Sequence, residues 1–236
     1  MKILITSGGT KVPIDRVRSI TNMSSGTFGS KIATEALKKG CKVVFFKAKG
    51  SKTPFSINTD VSLFECNEII SNAFCLYGLY AKQYHEYEYV TFDDYMTTLK
   101  RAILNEQPDV IVLAAAVSDY GVEDYVDGKI RSSDALTIQL KPLPKIISMV
   151  KQWAPRAKLV GFKLLVDSTE NELYIAAAKS ITDNHCDMVV ANDLRDIKDN
   201  NHMVMLVKEN STLIVKSDPN DPNYLAREVV KAIEKL

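Results

Sequence analysis

A segment rich in glycine and serine, SSGTFGSK at residues 24–31, has the residue types that bind phosphate. Gly26 and Gly29 allow a ligand to approach the backbone, and Ser24 and Ser25 offer hydroxyl groups. The segment runs into a predicted helix, whose free N–H groups and dipole favour an anion. Its spacing does not match G-x-x-x-x-G-K-[ST], and it lies too far beyond the first predicted strand for a tight dinucleotide turn. The residues alone therefore predict either a phosphate-binding loop or a plain helix-capping loop.

Polar or aromatic residues also follow three later apolar runs. Asp119 ends AAAVSDY and either serves a ligand or caps a surface turn. Lys129 and Arg131 could reach a triphosphate, or could be solvated loop charges. Phe162 is either a core residue or one wall of a nucleobase pocket, and the sequence AND (191–193) ends the last run. Ligands of open α/β sheets bind at the carboxyl ends of the strands, so SGGT (7–10), AAAVSDY (114–120), GFKLLVD (161–167) and AND (191–193) are predicted to share one edge.

The histidines and cysteines form no catalytic or zinc-binding pattern. His85, His185 and His202 are expected to be structural or surface residues, because no Ser/His/Asp or Cys/His arrangement includes them. No C-x-x-C pair occurs, and we expect reduced thiols, as in cytosolic proteins. The four cysteines are Cys41, Cys66, Cys75 and Cys186.

The bulk composition excludes several classes of protein. The chain has 236 residues, of which 46% are hydrophobic and 25% charged, which is ordinary for a globular protein with a sizeable core. Thirty Lys and Arg against 29 Asp and Glu give a net charge of +1, so no general attraction to nucleic acid or to an anionic membrane is expected. The apolar start, KILIT, is too short for a signal peptide or a membrane span. We expect a cytoplasmic protein.

Alternating strand and helix patterns predict the elements that position these residues. The pattern indicates an α/β, Rossmann-like three-layer fold with a mainly parallel sheet, a C-terminal β-hairpin at 202–216 and a closing helix. We expect one domain, 1–236, in which residues 49–92 form an irregular insertion that could include a helix. The predicted strands are 2–6, 41–48, 109–117, 158–165 and 186–193, and the predicted helices are 30–40, 93–107, 145–154, 171–184 and 224–236.

Several motifs together resemble the phosphopantothenate-cysteine ligase family, also called phosphopantothenoylcysteine synthetase, of coenzyme A biosynthesis. The resemblance rests on ITSGGTKVPIDRVRSITNMSSGTFG, AAAVSDY, KIRSS, VKQWAPRAKLVGFKLLVD and VVAND, which occur in the family's order. It spans most of residues 1–193. A combination of this length is far more specific than any one motif.

The resemblance implies a two-step ligation. The carboxylate of 4'-phosphopantothenate attacks the α-phosphate of a nucleoside triphosphate and releases pyrophosphate, and the amino group of L-cysteine then attacks the acyl-nucleotide. Positioning and charge neutralisation should dominate such a reaction between anions, with Mg²⁺ sharing the neutralisation. The substrates are therefore 4'-phosphopantothenate, L-cysteine and CTP or ATP.

The resemblance also assigns roles to residues by position. Asn22 matches the asparagine that contacts the acyl group, and Lys129 matches a lysine on a mobile loop that neutralises charge in the transition state. No metal ligand is assigned. The residues expected to bind the nucleotide are Ser24, Ser25, Gly26, Gly29, Ala114, Ala115, Ala116, Asp119, Phe162, Asn192 and, as a weaker match, Lys179.

Departures from the commonest bacterial pattern bear on the nucleotide. GFKLL replaces the frequent GFAAE, and KIRSS with VKQWAPRAKL is more similar to eukaryotic and free-standing members. Bacterial members resemble CTP users and eukaryotic ones favour ATP; we favour CTP. The chain looks like a free-standing ligase without the flavin-dependent decarboxylase half, so no flavin is expected. The family is typically dimeric, and a homodimer is expected, with the 202–216 hairpin or the insertion at its interface.

Two other functions are alternatives to the ligase. An NAD(P)-dependent reductase is suggested by SGGT after the first strand, but the spacing fails and FFKAKG places lysines where the acidic ribose ligand should be. A nucleotide-binding protein without catalysis is the third alternative, which pyrophosphate release dependent on both phosphopantothenate and CTP would exclude.

Overall fold

A large, mainly parallel sheet forms the centre of the protein. The computed structural model describes residues 1–56, 63–132, 135–198 and 202–236. The strands are β1 (Lys2–Ser7), β2 (Lys11–Pro13), β3 (Ser19–Thr21), β4 (Lys42–Ala48), β5 (Tyr84–Tyr89), β6 (Val110–Leu113), β7 (Tyr120–Val122), β8 (Leu140–Pro142), β9 (Lys158–Leu165), β10 (Met188–Asp193), β11 (Met203–Lys208) and β12 (Ser211–Lys216). Eight of these pair in the order β12-β11-β10-β9-β6-β1-β4-β5.

The direction of the strands defines where a ligand should bind. Strands β5, β4, β1, β6, β9 and β10 are parallel, and β11 and β12 continue the sheet antiparallel. The chain builds outward from β1 through β4 and β5, then returns to the other side of β1 as β6. The order therefore reverses between β1 and β6, and in open α/β sheets the ligand crevice lies outside the carboxyl ends of the strands at this switch point.

Helices cover both faces of the sheet. They are α1 (Thr27–Lys38), α2 (Leu63–Tyr80), α3 (Phe92–Glu106), α4 (Ile147–Trp153), α5 (Glu170–Asn184), α6 (Leu194–Lys198) and α7 (Tyr224–Ile233). Helices α1 and α7 bury Ile32 and Val229 against one face, and α3, α4 and α5 bury Leu99, Val150 and Leu173 against the other. Because the central strands are covered on both sides, they read as continuous apolar runs rather than alternating ones. The predicted α/β, Rossmann-like fold is confirmed.

Residues 49–92 differ from the expected irregular insertion. Residues 57–62 of this segment lie outside the described part, but the rest includes the 18-residue helix α2 and the strand β5. Strand β5 pairs with β4 along its whole length, from Val43 and Tyr84 to Ala48 and Tyr89. The segment is therefore a strand-helix-strand crossover that adds the edge strand of the main sheet.

Other boundaries differ for local reasons. The third apolar run was expected to be a strand over 109–117, but β6 ends at Leu113 because the following residues bond to the loop after β1 instead. Helix α3 begins at Phe92, one residue before the predicted start, because Thr91 caps it and its side chain accepts the N–H of Asp94. Strands β2 and β3 form a small separate hairpin, and β7 pairs with β8.

Two general expectations can be compared with the described residues. Cys41, Cys75 and Cys186 are free thiols, whereas the side chain of Cys66 lies outside the described part of the chain. Among the helices that the structure describes, none combines the length and the hydropathy that a membrane crossing requires.

Candidate active site

The start of α1 packs tightly against the end of β1. Ser7 Oγ donates a hydrogen bond to the carbonyl of Gly26 at 3.0 Å, and a Cβ atom at Gly29 would lie 2.5 Å from Ser7 Oγ. Gly26 has φ +77°, and a Cβ atom there would lie 2.8 Å from the same oxygen. Both positions therefore require glycine, because the backbone approaches Ser7 too closely for a Cβ atom. Together with Ser7, the two glycines fix the N-terminus of α1 at the carboxyl end of β1.

The N-terminus of α1 keeps free donors. Gly26 is its N-cap residue, no side chain makes a cap hydrogen bond within this described segment, and its first turn has no acidic residue. The amide of Thr27 makes only a long contact of 3.4 Å with Ser25 Oγ. The carbonyl of Ser25 accepts the N–H of Lys52, which brings the loop after β4 against this turn. Free N–H groups and the helix dipole are suited to an anion here, and phosphate binding at this turn stays a prediction.

Asn22 lies directly over the switch point. Its Nδ2 donates to the carbonyl of Ala116 at 3.2 Å, and the N–H of Thr10 donates to that same carbonyl, also at 3.2 Å. The N–H of Ala116 donates to the carbonyl of Gly8 at 2.8 Å. A Cβ atom at Gly9 would lie 2.8 Å from the Asn22 carbonyl, so only glycine leaves this approach open. The loops after β1 and β6 are thus joined, with the Asn22 amide at the junction.

The alanines after β6 and Asp119 differ in their surroundings. Ala114, Ala115 and Ala116 are each half-buried at the carboxyl end of β6. The amide of Ala115 donates to Thr6 Oγ1 at 3.1 Å, which holds this turn against β1. Asp119 is exposed and pairs with Lys145, so its carboxylate faces solvent beside a positive charge.

Aromatic rings line the carboxyl ends of β9 and β10. Phe162 stands edge-on to Phe28 of α1, with ring centroids 5.9 Å apart, and Phe28 stands edge-on to His202 at 5.3 Å. Asn192 is buried, and its Nδ2 lies 3.3 Å from His202 Nε2. Phe162 and Asn192, predicted separately, are therefore joined through Phe28 and His202 into one wall beside the N-terminus of α1.

Positive charge surrounds this wall. Burial and the charge of Lys31 lower the pKa of His202, which keeps the imidazole neutral near pH 7. Burial and the charge of Lys52 lower the pKa of Lys31, whose Nζ donates to the carbonyl of Pro222 at 2.7 Å. Two lysines near an uncapped helix start create a local positive potential in a chain of almost zero net charge.

Lys129 and Lys179 stand apart from this cluster. Lys129 is an exposed residue in a loop whose backbone bonds to residues 14–18. Lys179 lies on the outer face of α5, is exposed, and pairs with Asp183 one turn later. The structure gives no contact between either lysine and the other predicted residues, and the roles of both remain predictions.

A polar cavity of about 370 Å³ lies elsewhere, on the α5 side of the sheet. It contains both acidic and basic side chains and none of the predicted residues. Its walls are Asp167, Ser168, Thr169, Glu170, Leu173, Arg195, Asp196, Met203 and Lys216. The junction of β1 and β6 is the better candidate for the active site, because backbone donors and a helix N-terminus converge there.

Sequence reasoning missed Phe28, Ser7 and His202. Phe28 lies inside the SSGTFGSK segment, but only helical phase would have shown that its ring faces β9. His202 was expected to be structural or on the surface, and it is half-buried against Asn192 and Phe28, next to one of the predicted nucleotide-binding residues. Its position before β11 depends on the pairing of β10 with β11, which the sequence does not display.

The described residues form no metal site made of protein side chains alone. Among the described residues, no group of three or more His, Cys, Asp or Glu side chains is placed to hold a metal ion. Asp119 supplies a single carboxylate near the crevice.

Comparison with protein families identifies one match across nearly the whole chain. The model for the DNA/pantothenate metabolism flavoprotein C-terminal domain matches residues 1–71 and 84–236. The unmatched stretch contains the end of α2 and falls within the segment expected to be an insertion.

Curated relatives agree with this match. The coenzyme A biosynthesis bifunctional protein CoaBC of Thermococcus kodakarensis is 35% identical over 206 residues, covering 87% of this chain and 44% of its own length. The chain thus spans less than half of that bifunctional relative. The phosphopantothenate-cysteine ligase of Mus musculus is 32% identical over 254 residues, covering 92% of this chain and 79% of its own length.

Solved structures share the fold. The DNA/pantothenate metabolism flavoprotein from Streptococcus pneumoniae superposes with a TM-score of 0.79 at 30% identity, covering 100% of this chain and 99% of that one. The Cab2 mutant H337A in complex with phosphopantothenate-cysteine superposes with a TM-score of 0.84 at 26% identity, covering 99% and 86%.

Proposed function

Because this chain belongs to the phosphopantothenate-cysteine ligase family, we propose that it joins 4'-phosphopantothenate to L-cysteine in coenzyme A biosynthesis. The observation that carries the proposal is the hydrogen bond between Asn22 and Ala116 at the switch point, beside the uncapped start of α1. An acyl group held at Asn22 would lie next to a phosphate held by α1. The reaction requires the acyl group and the phosphate to lie next to each other.

The chemistry proceeds in two displacements. A carboxylate oxygen of 4'-phosphopantothenate attacks the α-phosphorus, an acyl-nucleotide forms, and the bond to pyrophosphate breaks. The amino group of cysteine then attacks the acyl carbon, loses a proton, and the nucleoside monophosphate leaves with the electron pair. Every participant except the amine is anionic, so fixed positive charge and N–H donors are the main contribution of the protein.

The predicted residues take distinct parts in this scheme. Asn22 orients the acyl group, and Ser24, Ser25, Gly26 and Gly29 hold phosphates at the start of α1. Lys129 neutralises charge in the transition state. The base is enclosed by Ala114, Ala115, Ala116, Phe162 and Asn192, with Asp119 at the nucleotide and Lys179 as the weakest assignment.

Mg²⁺ is proposed to enter with the nucleotide. Protein sites for Mg²⁺ commonly use one or two carboxylates together with substrate phosphates, and Asp119 is a suitable hard oxygen donor near the crevice. The ion would share the neutralisation of the phosphates when bound.

The reductase alternative is not favoured. An NAD-binding Rossmann fold places an acidic residue at the end of the second strand to bind the ribose. In this chain Lys47 occupies the end of β4 and pairs with Glu86 and Glu88 of the neighbouring strand. A positive side chain held in that position offers no acceptor for a ribose hydroxyl.

A pyrophosphate-release assay tests the proposal. The purified chain is given 4'-phosphopantothenate with CTP or ATP in parallel, and cysteine is varied. We expect pyrophosphate release that depends on phosphopantothenate and is faster with CTP than with ATP. We also propose that the enzyme acts as a homodimer in the cytoplasm. Absence of release with both nucleotides would contradict the ligase assignment, and faster release with ATP would reverse only the nucleotide preference.

A further inference from the structure

A buried carboxylate, Asp15, lies in the loop between β2 and β3. Its side chain is fully buried. Oδ1 accepts the N–H groups of Val17 at 2.7 Å and Arg18 at 2.6 Å. Oδ2 accepts the N–H of Ile130 at 3.1 Å and Nη1 of Arg18 at 3.0 Å. Four donors from two distant parts of the chain therefore converge on one side chain.

The contact with Ile130 reaches the residue after Lys129. Arg18 adds to it, since Nη1 and Nη2 both donate to the carbonyl of Ile130 at 3.2 Å. Both backbone polar groups of Ile130 are thus bound, one by Asp15 and the other by the arginine that Asp15 holds.

The other side of Lys129 is bound as well. The N–H of Arg16 donates to the carbonyl of Gly128 at 3.0 Å, and the N–H of Val126 donates to the carbonyl of Ile14 at 3.1 Å. The backbone is therefore attached to residues 14–18 immediately before and immediately after Lys129, and the lysine side chain itself stays exposed.

The same loop leads to Asn22. Strands β2 and β3 pair from Lys11 with Thr21 to Pro13 with Ser19, so the loop containing Asp15 is closed by the hairpin that ends next to Asn22. One hairpin therefore carries Asn22 at its base and binds the Lys129 segment at its tip.

We propose that Asp15 is a positioning residue that sets Lys129 relative to Asn22 for the ligation. The proposal rests on the ligase function given above. Only a carboxylate can accept all four hydrogen bonds, because both of its oxygens are acceptors. An amide would turn its NH₂ donor toward the N–H of Ile130 or toward Arg18. Burial would raise the pKa of Asp15, but the hydrogen bonds from Val17, Ile130 and Arg18 lower it, so the group stays ionised at neutral pH.

The Asp15→Asn variant tests the role with two independent readouts. Amide hydrogen exchange in residues 126–132 should become about tenfold faster or more, because the Ile130 bond is lost. The kcat for pyrophosphate release should fall about tenfold or more, since small displacements of a catalytic group are costly, while KM for the nucleotide stays within about twofold. The control is Lys231→Gln on α7, which removes an ion pair with Glu228 away from this loop and should change neither readout.

A double variant separates positioning from a general structural role. If Asp15 acts through Lys129, Asp15→Asn should cause no further loss of kcat once Lys129→Gln is present, because residues that act as a unit are not additive. An equal, additive loss in the double variant overturns the proposal. Should Asp15→Asn fail to fold, Asp15→Ser keeps a short acceptor for the local turn and takes its place; failure of both to fold would make Asp15 a folding determinant and overturn the positioning role.

The ligase function and the positioning role of Asp15 can fail separately. A wild-type chain without pyrophosphate release overturns the ligase function, and the positioning role with it. An active wild type whose Asp15→Asn variant exchanges and turns over normally overturns the positioning role alone.

Discussion

At the scale of single residues, the positive charge of Lys129 is the first to be tested. Lys129→Gln removes the charge while leaving an exposed polar side chain, so the fold should be unchanged. We expect kcat to fall by about 100-fold or more, as for other groups that stabilise charge only in the transition state, with a smaller effect on KM. Steady-state pyrophosphate release measures both constants.

The control for this variant is Lys231→Gln. Lys231 is on the exposed side of α7 and pairs with Glu228, so its loss should leave turnover unchanged. A Lys129→Gln enzyme with wild-type kcat would rule out the role assigned to Lys129.

His202 provides a pH-dependent signature of the aromatic wall. Burial and the charge of Lys31 lower its pKa below 6.5, with Asp196 opposing the shift. The unfolded chain then binds this proton at a higher pH than the folded one, so the contribution of His202 to stability falls as the pH drops below about 6.5. Neutral His202 can accept the Asn192 amide, and its protonated form cannot.

The Lys31→Met variant checks the cause of this shift. Removing the positive charge should raise the pKa of His202, because the charge of Lys31 is one of the causes that lower it. The three histidines allow each C2 proton to be followed by NMR titration, with a histidine variant for assignment. An unchanged titration of His202 would mean that Lys31 does not face the imidazole.

At the scale of secondary structure elements, the contact between α1 and β1 sets the geometry of the phosphate site. Gly29→Ala would place a Cβ atom 2.5 Å from Ser7 Oγ and 2.8 Å from Ser7 Cβ, so the helix start must shift. We expect a loss of about 1–3 kcal/mol in the free energy of unfolding, together with weaker nucleotide binding. Urea denaturation and calorimetric titration with CTP measure the two effects.

Gly78→Ala is the matched substitution for this test. Gly78 lies inside α2, and among the described residues no atom comes within 4 Å of an added Cβ, so alanine should be neutral or stabilise by about 0.5–1 kcal/mol. Normal nucleotide affinity in Gly29→Ala would show that the spacing between α1 and β1 does not matter to the ligand.

The secondary structure elements also show which parts of the fold can be predicted from the sequence. Strands β1, β9 and β10 were predicted within two residues, because their apolar runs, in β9 residues 159–161, are buried on both faces. Strand β5, YHEYEY, was missed because it is an edge strand with charged and aromatic residues and one fully buried side chain, Tyr89. In the candidate site, the glycines were recognised from local sequence. Partners such as His202 were not, because they depend on which strands become neighbours.

At the scale of the whole molecule, the last strand of the sheet is a candidate surface for a second copy of the chain. β12 is an edge strand, and Leu213 and Ile214 on it are 53% and 40% exposed. Exposed apolar edge strands tend to pair with another chain. We expect a dimer in sedimentation velocity, and Leu213→Lys should shift it toward monomer.

The Leu104→Lys variant on α3 controls for the added charge. Leu104 is also 53% exposed but lies on a helix rather than on an open strand. A Leu213→Lys protein that remains dimeric would exclude the β12 edge as the interface.

The Rossmann-like strand order has a consequence for how the molecule acquires activity. The residues of the candidate site come from positions 7 to 202, on the ends of strands that meet only after the long crossovers have closed. Contacts between residues so far apart in sequence form slowly, so during folding we expect the start of α1 to form before the aromatic wall is complete. Nucleotide binding during refolding should therefore lag behind the burial of the single tryptophan, Trp153. Nucleotide binding would then indicate that the entire sheet has formed.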